Sequence, residues 1–361
     1  EAVIVQAARR FLQKKNPDKA IAKLRLGQAA NPESVAIHEW LGLAYQQAAQ
    51  PDEAISAFEA ALALPHTTSV CINGLAKLYT KDKRYDDAFR VLDTALTKAN
   101  LSPKFWIHLV DLYTITGLAS QTNRDKIKVS IMKCLNRAVA LEPEDPLTLH
   151  RLADYYKVWG ESDKAIALFI QLIELNPGLL SVREQLADLY LRADKTEKAT
   201  RQLEAILRER PTNERALFVL GGIKRQLDKL DEAAAHFETV LKINPKFELA
   251  YYELAGVRLF QNKPSITLST LKKAGEQFKP KFITKFYAGL AHSSLHQYPK
   301  AIENLLDAEE LAQASEQNRL THFFYFQLGA AYERNRQYET ANDTFNKAIE
   351  MSPDYHNAMN Y

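Results

Sequence analysis

The chain reads as an all-α solenoid, a stack of antiparallel helix pairs, on three observations. One residue pattern recurs every 34 positions along the whole chain. Within each period, apolar residues fall at helical spacing on two stretches of about 14 residues. Glycine is scarce at 12 of 361 residues, about half its usual share, which predicts few tight turns and argues against a turn-rich β fold. From Leu186 the pattern runs Leu186-Ala187, Tyr190, Ala199, Leu203, Pro211, and 34 residues later Leu220-Gly221, Lys224, Ala233, Phe237, Pro245. One period earlier it is Leu152-Ala153, Tyr156, Ala165, Phe169, Pro177. Near the start it is Leu41-Gly42, Tyr45, Ala54, Phe58, Ala61, and near the end Leu328-Gly329, Tyr332, Ala341, Phe345, Ala348, Pro353.

In this register the chain is one continuous array over 1–361. Its units start near Glu1, Val35, Ser69, Pro103, Pro146, Leu180, Glu214, Glu248, Phe282 and His322. Insertions are expected near 118–126 and 316–321, the first as a longer loop or an extended helix start, and 356–361 reads as the start of a truncated further helix. Each recurring residue has a physical task. Gly42, Ala76, Ala153, Gly221 and Gly329 let the first helix of a unit approach the second, and Ala20, Ala54, Ala88, Ala165, Ala199, Ala233, Ala301 and Ala341 do the same from the second. Leu24, Phe58, Leu92, Phe169 and Phe237 fill the space between neighbouring units. Asp18, Asp52, Asp86, Asp163 and Asp231 sit in the first turn of the second helix, where a carboxylate meets free N–H groups and the positive end of the dipole. Pro32, Pro143, Pro177, Pro211, Pro245 and Pro353 stop that helix and turn the chain onward. One unit cannot bury its own apolar faces, so stacking is obligatory.

The pattern resembles the tetratricopeptide repeat (TPR) family, whose 34-residue unit carries Leu-Gly, Tyr, Ala, Phe and Pro at these spacings. The resemblance implies a right-handed superhelix whose first helices line a concave wall, and a protein that binds other proteins rather than an enzyme. Long regular arrays of this type resemble those of bacterial scaffold and envelope-assembly proteins, an expectation that leans toward the periplasmic side without excluding the cytoplasm. The start at Glu1, without methionine, reads as a trimmed piece of a longer polypeptide.

Composition and motifs exclude several classes. The chain is 46% hydrophobic and 25% charged with a formal net charge of +3, so disorder and a nucleic-acid surface built on phosphate contacts are not expected. No apolar run approaches the roughly 20 residues of a membrane helix. Cys71 and Cys134 are too far apart in sequence for a Cys-x-x-Cys motif. Gly-x-Gly-x-x-Gly, P-loop, Gly-x-Ser-x-Gly and His-Glu-x-x-His patterns are absent, and no cofactor or metal is expected. His292 and His296 have metal-compatible spacing, but His292 stands where the pattern places a packed Tyr. Glu309-Glu310 reads as a solvated face.

The resemblance places ligand contacts on the second, fifth, ninth, twelfth and thirteenth positions of each unit, which divides the expected wall in two. Units 3 to 6 are polar there, with Asn73, Lys77, Lys104, Asp111, His150, Asp154, Lys157 and Asp188. Units 7 to 10 are aromatic and apolar, with Phe218, Gly222, Leu249, Tyr252, Gly256, Phe260, Ile283, Phe286, Leu290, Phe323 and Phe326, and Arg225 at the rim. Rings over two floor glycines suit a peptide or helix of a partner. Tyr252 and Phe286 are expected to be open anchors whose truncation spares the fold, and Gly256 an open floor. The charged-tail clamp and the asparagine ladder known in the family are not matched by these residues. The reading is therefore an adaptor holding a partner segment in its groove. The alternatives are a non-catalytic arm of a larger enzyme, or a module that self-associates through its terminal repeats.

Overall fold

The computed structural model describes residues 1–65, 68–97, 102–122, 124–315 and 317–353. Among the described residues there are twenty α-helices, a 3-10 turn at Gln317–Arg319 and no strand. The chain divides into two compact units, Glu1–Gly178 and Leu179–Tyr361. The first holds α1 (Ala2–Gln13) with α2 (Pro17–Ala30), α3 (Val35–Gln47) with α4 (Pro51–Ala63), α5 (Ser69–Lys81) with α6 (Tyr85–Leu96), α7 (Pro103–Ala119) with α8 (Arg124–Ala140), and α9 (Pro146–Val158) with α10 (Ser162–Leu175). The second holds α11 (Leu180–Arg192) with α12 (Thr196–Glu209), α13 (Glu214–Gln226) with α14 (Leu230–Ile243), α15 (Glu248–Phe260) with α16 (Pro264–Gly275), α17 (Phe282–Ser294) with α18 (Tyr298–Ser315), and α19 (His322–Arg334) with α20 (Tyr338–Met351). Residues 356–361 lie outside the described residues.

Within each unit the helices of a pair pack on each other and each pair packs on the next. First helices also touch first helices, from α1 through α9 in one unit and from α13 through α17 in the other, whereas among second helices only α6 and α8 come comparably close. The first helices therefore line the inner side of each unit. Leu24, Phe58, Leu92, Phe169 and Phe237 are wholly buried. The Phe58 ring shows why small residues are required: a Cβ on Gly42 would lie 2.4 Å from it and one on Gly74 2.5 Å. One ring thus joins α3, α4 and α5, and burying it is worth about 2–3 kcal/mol.

Every pair closes through the same turn. Asn16 N–H donates to the Phe11 carbonyl at 3.0 Å, Gln50 to Tyr45 at 2.9 Å, Arg84 to Tyr79 at 2.8 Å, and so on to Gln337 and Tyr332 at 3.0 Å. This bond caps the first helix in a Schellman arrangement, which sets the preceding residue in the left-handed region. Those residues are Lys15, Ala49, Lys83, Gln121, Gly160, Asp194, Asp228, Asn262, His296 and Arg336. Only Gly160 is a glycine. The scarcity of glycine therefore does not mean few tight turns, as the sequence suggested. The chain instead accepts side chains at positions that cost them roughly 1 kcal/mol each.

The insertion near 118–126 takes the form of added helix. Helices α7 and α8 have 17 residues each, against 12 to 14 in α1 through α6. The capping bond, from Thr122, reaches Gly117 rather than Tyr113, so the first helix is longer by one turn and the second matches it. A Cβ on Gly117 would stand 2.7 Å from Ile127, so the added turns pack on each other. Asn123 lies outside the described residues. Near 316–321, α18 extends to 18 residues and is followed by the 3-10 turn, with Glu316 outside the described residues.

Candidate functional site

On the inner side of the first unit the polar positions bind one another. The His108 ring meets Asn73 Oδ1 at 3.0 Å, and Asp111 accepts hydrogen bonds from Arg151 at 2.9 Å and from the Tyr155 hydroxyl. Burial alone would raise the Asp111 pKa, but hydrogen bonds from His108, Tyr155 and Arg151 outweigh it and hold the carboxyl below its usual range. His150 Nδ1 lies 3.0 Å from Asp154, which also takes Lys157 Nζ at 2.7 Å. Lys104 makes only a long approach to Asp145, 3.7 Å. Lys77 is exposed and lies with Asn73, Lys104 and His108 along a cleft of ≈ 650 Å³.

The second unit does not present the open aromatic wall that the sequence suggested. Tyr252 and Phe286 are buried, 7% and 9% exposed. Phe286 stacks on Phe282 at 5.3 Å and meets Phe323 edge-on at 6.3 Å. Leu290 packs against the same cluster. Tyr252 donates its hydroxyl to Glu248 at 2.6 Å. Phe218 is held between Phe237 and Phe247, with centroids at 5.5 and 5.0 Å, and Phe326 lies on Phe345 at 5.8 Å. Gly256 is no open floor either, because the Tyr287 hydroxyl would stand 3.1 Å from a Cβ there. The physical reasons are two. Phe286 and Gly256 are covered by rings of the neighbouring first helix, Phe323 and Tyr287, whereas Phe218 and Phe326 are covered by rings of the second helix of their own pair, Phe237 and Phe345. Tyr287 was not singled out from the sequence. Its signal was an aromatic residue one unit downstream of a glycine, a small-to-large match across adjoining helices.

What remains open is narrower. Phe260 is 71% exposed, Leu249 57% and Phe323 44%. Gly222 is bare, with no atom within 4 Å of where a Cβ would be. It floors a cleft of ≈ 340 Å³ lined by Asp194, Phe218, Arg225 and Glu253. Arg225 Nε approaches Glu253 at 3.1 Å, yet it is buried without an aligned acceptor. The two histidines at metal-compatible spacing are engaged apart from each other: His292 with Gln297 at 2.8 Å and His296 with the Tyr298 hydroxyl at 2.7 Å. No cluster of three metal-ligating side chains occurs among the described residues. No described helix is long and apolar enough to cross a membrane.

Two family models, both described as tetratricopeptide repeat, match the chain, one at residues 5–66 and 184–248 and the other at 148–179 and 324–355. Together they span just over half of it. The chain belongs to the tetratricopeptide-repeat family. No curated protein matches the chain. Among solved structures, MamA 41-end from Desulfovibrio magneticus RS-1 is similar at 22% identity and a TM-score of 0.44, over 49% of this chain and 96% of that one. YrrB, described as a TPR protein with an unusual peptide-binding site, is similar at 20% identity and a TM-score of 0.45, over 53% and 96%. A tetratricopeptide repeat protein from Parabacteroides merdae ATCC 43184 is similar over 91% of this chain and 98% of that one, at 14% identity and a TM-score of 0.35.

The TPR register also brings out a recurring link between pairs. The eleventh residue of a unit reaches back twenty positions to the second helix of the preceding unit. Tyr79 donates to Glu59, Tyr113 to Asp93 at 2.6 Å, Tyr156 to Asn136 at 2.8 Å, and Arg258 to Glu238. In these four a donor on one unit meets an oxygen acceptor on its neighbour, and in a fifth the sense is reversed, Arg25 donating to the Tyr45 hydroxyl at 2.8 Å. Each fixes the spacing of two pairs as the apolar core fills behind them.

Proposed function

We propose that this TPR protein is an interaction scaffold that holds a segment of a partner protein against the inner side of the Leu179–Tyr361 unit. The observation that carries the reading is the bare Gly222 floor of its cleft. Without a side chain there, a partner backbone can lie directly on α13. Phe218 supplies a wall of apolar area, and the Arg225–Glu253 ion pair, 3.1 Å apart in the cleft lining, offers charged partners to a peptide's polar groups. Phe260 and Leu249 extend the apolar surface along α15.

The test is to pan a displayed library of random peptides on the intact chain and measure the selected sequences on Gly222→Leu. Leucine favours helix over glycine by close to 1 kcal/mol, so circular dichroism and Tm should hold. Selected peptides should lose affinity by about tenfold or more, since the side chain stands where the backbone would lie. Unchanged affinity would place the partner surface elsewhere and refute the reading.

A further inference from the structure

In eight of the ten pairs the seventh residue of the first helix is a buried leucine, from Leu41 and Leu75 through Leu254 to Leu328. In α17 it is Ala288. The same helix lacks the link between pairs, as do α11 and α19, where the residues twenty positions upstream of Tyr190 and Tyr332 are Ile170 and Ala312. In α17 alone a cation stands at that spacing from a histidine. The eleventh residue of α17 is His292, and the residue twenty positions upstream is Lys272. At the same spacing Tyr79, Tyr113, Tyr156 and Arg258 meet an oxygen acceptor, and Tyr45 meets a donor, Arg25. A volume is missing and an acid is missing, and both losses open on one place. A cleft of ≈ 390 Å³ between α16, α17 and α18 is lined by Ala288, His292, Lys272, Leu271, Phe278 and Lys279, among others. Tyr252 also contributes to the lining.

Charge gathers around the same cleft. Between Glu253 and Glu303 the sequence has eight Lys or Arg and a single carboxylate, Glu276. The rest of the chain is net acidic. Lys285, at the cleft, is taken by Asp307 at 2.7 Å. Lys272 and Lys279 are exposed, and neither has a carboxylate within ion-pair distance among the described residues. The positive charge continues past the cleft onto its flanking helices, with Lys273 on α16 and Lys300 on α18, more than one bound carboxylate would neutralise. The cleft itself is at the small end of ligand sites, with room for one or two side chains.

We propose that this cleft is a second binding site, apart from the inner-side cleft at Gly222, and that it takes an acidic peptide segment carrying one large apolar side chain. The apolar side chain fills the space left at Ala288, against Leu271 and Phe278. A flanking carboxylate sits between Lys272 and His292, in the position that Glu59 and Asp93 hold for other pairs, and further acids meet Lys279 and Lys273. The ligand supplies the missing acid of the link and thereby joins α16 to α17.

The probe is a short fluorescein-labelled peptide of alternating Asp and Glu around one central phenylalanine, followed by anisotropy with the intact chain. It should bind about tenfold or more tightly than the same peptide with serine at the centre, and binding should weaken as salt rises. Ala288→Leu restores the residue that eight other pairs carry, so the fold should hold while binding falls about tenfold or more. A second variant, Lys272→Glu with His292→Tyr, rebuilds the phenol–acid link from within and should also lose the peptide. Gly222→Leu should leave this binding unchanged, which separates failure of this site from failure of the inner-side reading. Binding indifferent to both cleft variants, or equal binding of the serine peptide, would overturn the proposal. So would displacement of the peptide by dodecanoate or by phosphatidylglycerol vesicles at lower concentration than by unlabelled peptide, since the site would then serve a lipid.

Discussion

The inner sides of the two units are built on the same helix pairs and joined by different chemistry. In Glu1–Gly178 the first helices are tied by hydrogen bonds and ion pairs, Asn73 to His108 and Asp111 to Arg151 and Tyr155. In Leu179–Tyr361 ion pairs still join α11, α13 and α15, Arg215 to Asp188 and Arg225 to Glu253. From α15 to α19 rings take over, Phe282, Phe286, Phe323 and Phe324 in one cluster and Tyr287 over Gly256. Repeat geometry fixes how far apart adjacent helices stand, and leaves open whether charge or volume holds them there. The two solutions should respond to different perturbations.

The largest difference should come from Phe286→Ala. Removing a ring buried in the aromatic cluster should cost about 3–5 kcal/mol, seen as a lower urea midpoint and faster hydrogen exchange in α17 and α19, with no dependence on salt. Exchange that speeds up equally in the first unit would break the comparison, because repeat stability is carried between neighbours. Asp111→Asn probes the other solution and should cost about 1–2 kcal/mol at neutral pH, the worth of hydrogen bonds to a charged group. Its sign with pH follows from the direction of the shift. The folded carboxyl titrates below its unfolded value, so its stabilisation is complete above about pH 4 and fades as pH falls through the lower folded pKa. Urea midpoints of the two proteins should therefore converge in acid, and a gap that persists there would assign the loss to shape. The smallest effect belongs to neither adhesive. Ala49 occupies a left-handed turn, φ 58°, so Ala49→Gly should raise stability by about 0.5–1 kcal/mol, and a loss would show that the turn is not strained.

The buried positions were legible because each was printed several times. Ala20, Leu24, Phe58, Leu203 and Phe237 recur in step, and the structure buries all of them. The inner side was legible only as a list of positions. Whether a residue there is open depends on its counterpart one unit away, and no period within one unit records that pairing. Phe286 is covered because Phe282 and Phe323 reach it, and Gly256 because Tyr287 does, whereas Gly222 stays bare. The cleft at Ala288 was written in the sequence as an exception, visible only when the ten units are read against each other column by column.

The extra turn shared by α7 and α8 bears on how such a chain can change length at all. Four residues advance a helix by about 6 Å and by about 40° beyond one full revolution, so the faces on either side stay nearly in phase. A single added residue would swing everything after it by about 100° and carry a core side chain toward solvent. On an antiparallel pair the change must also be matched on the returning helix, or the new turn stands uncovered. Insertions and deletions within these repeats are therefore quantised, tolerated as whole turns in both helices together. An alignment of these units should open two gaps of about one turn each, one in each helix, rather than one gap in the connecting turn.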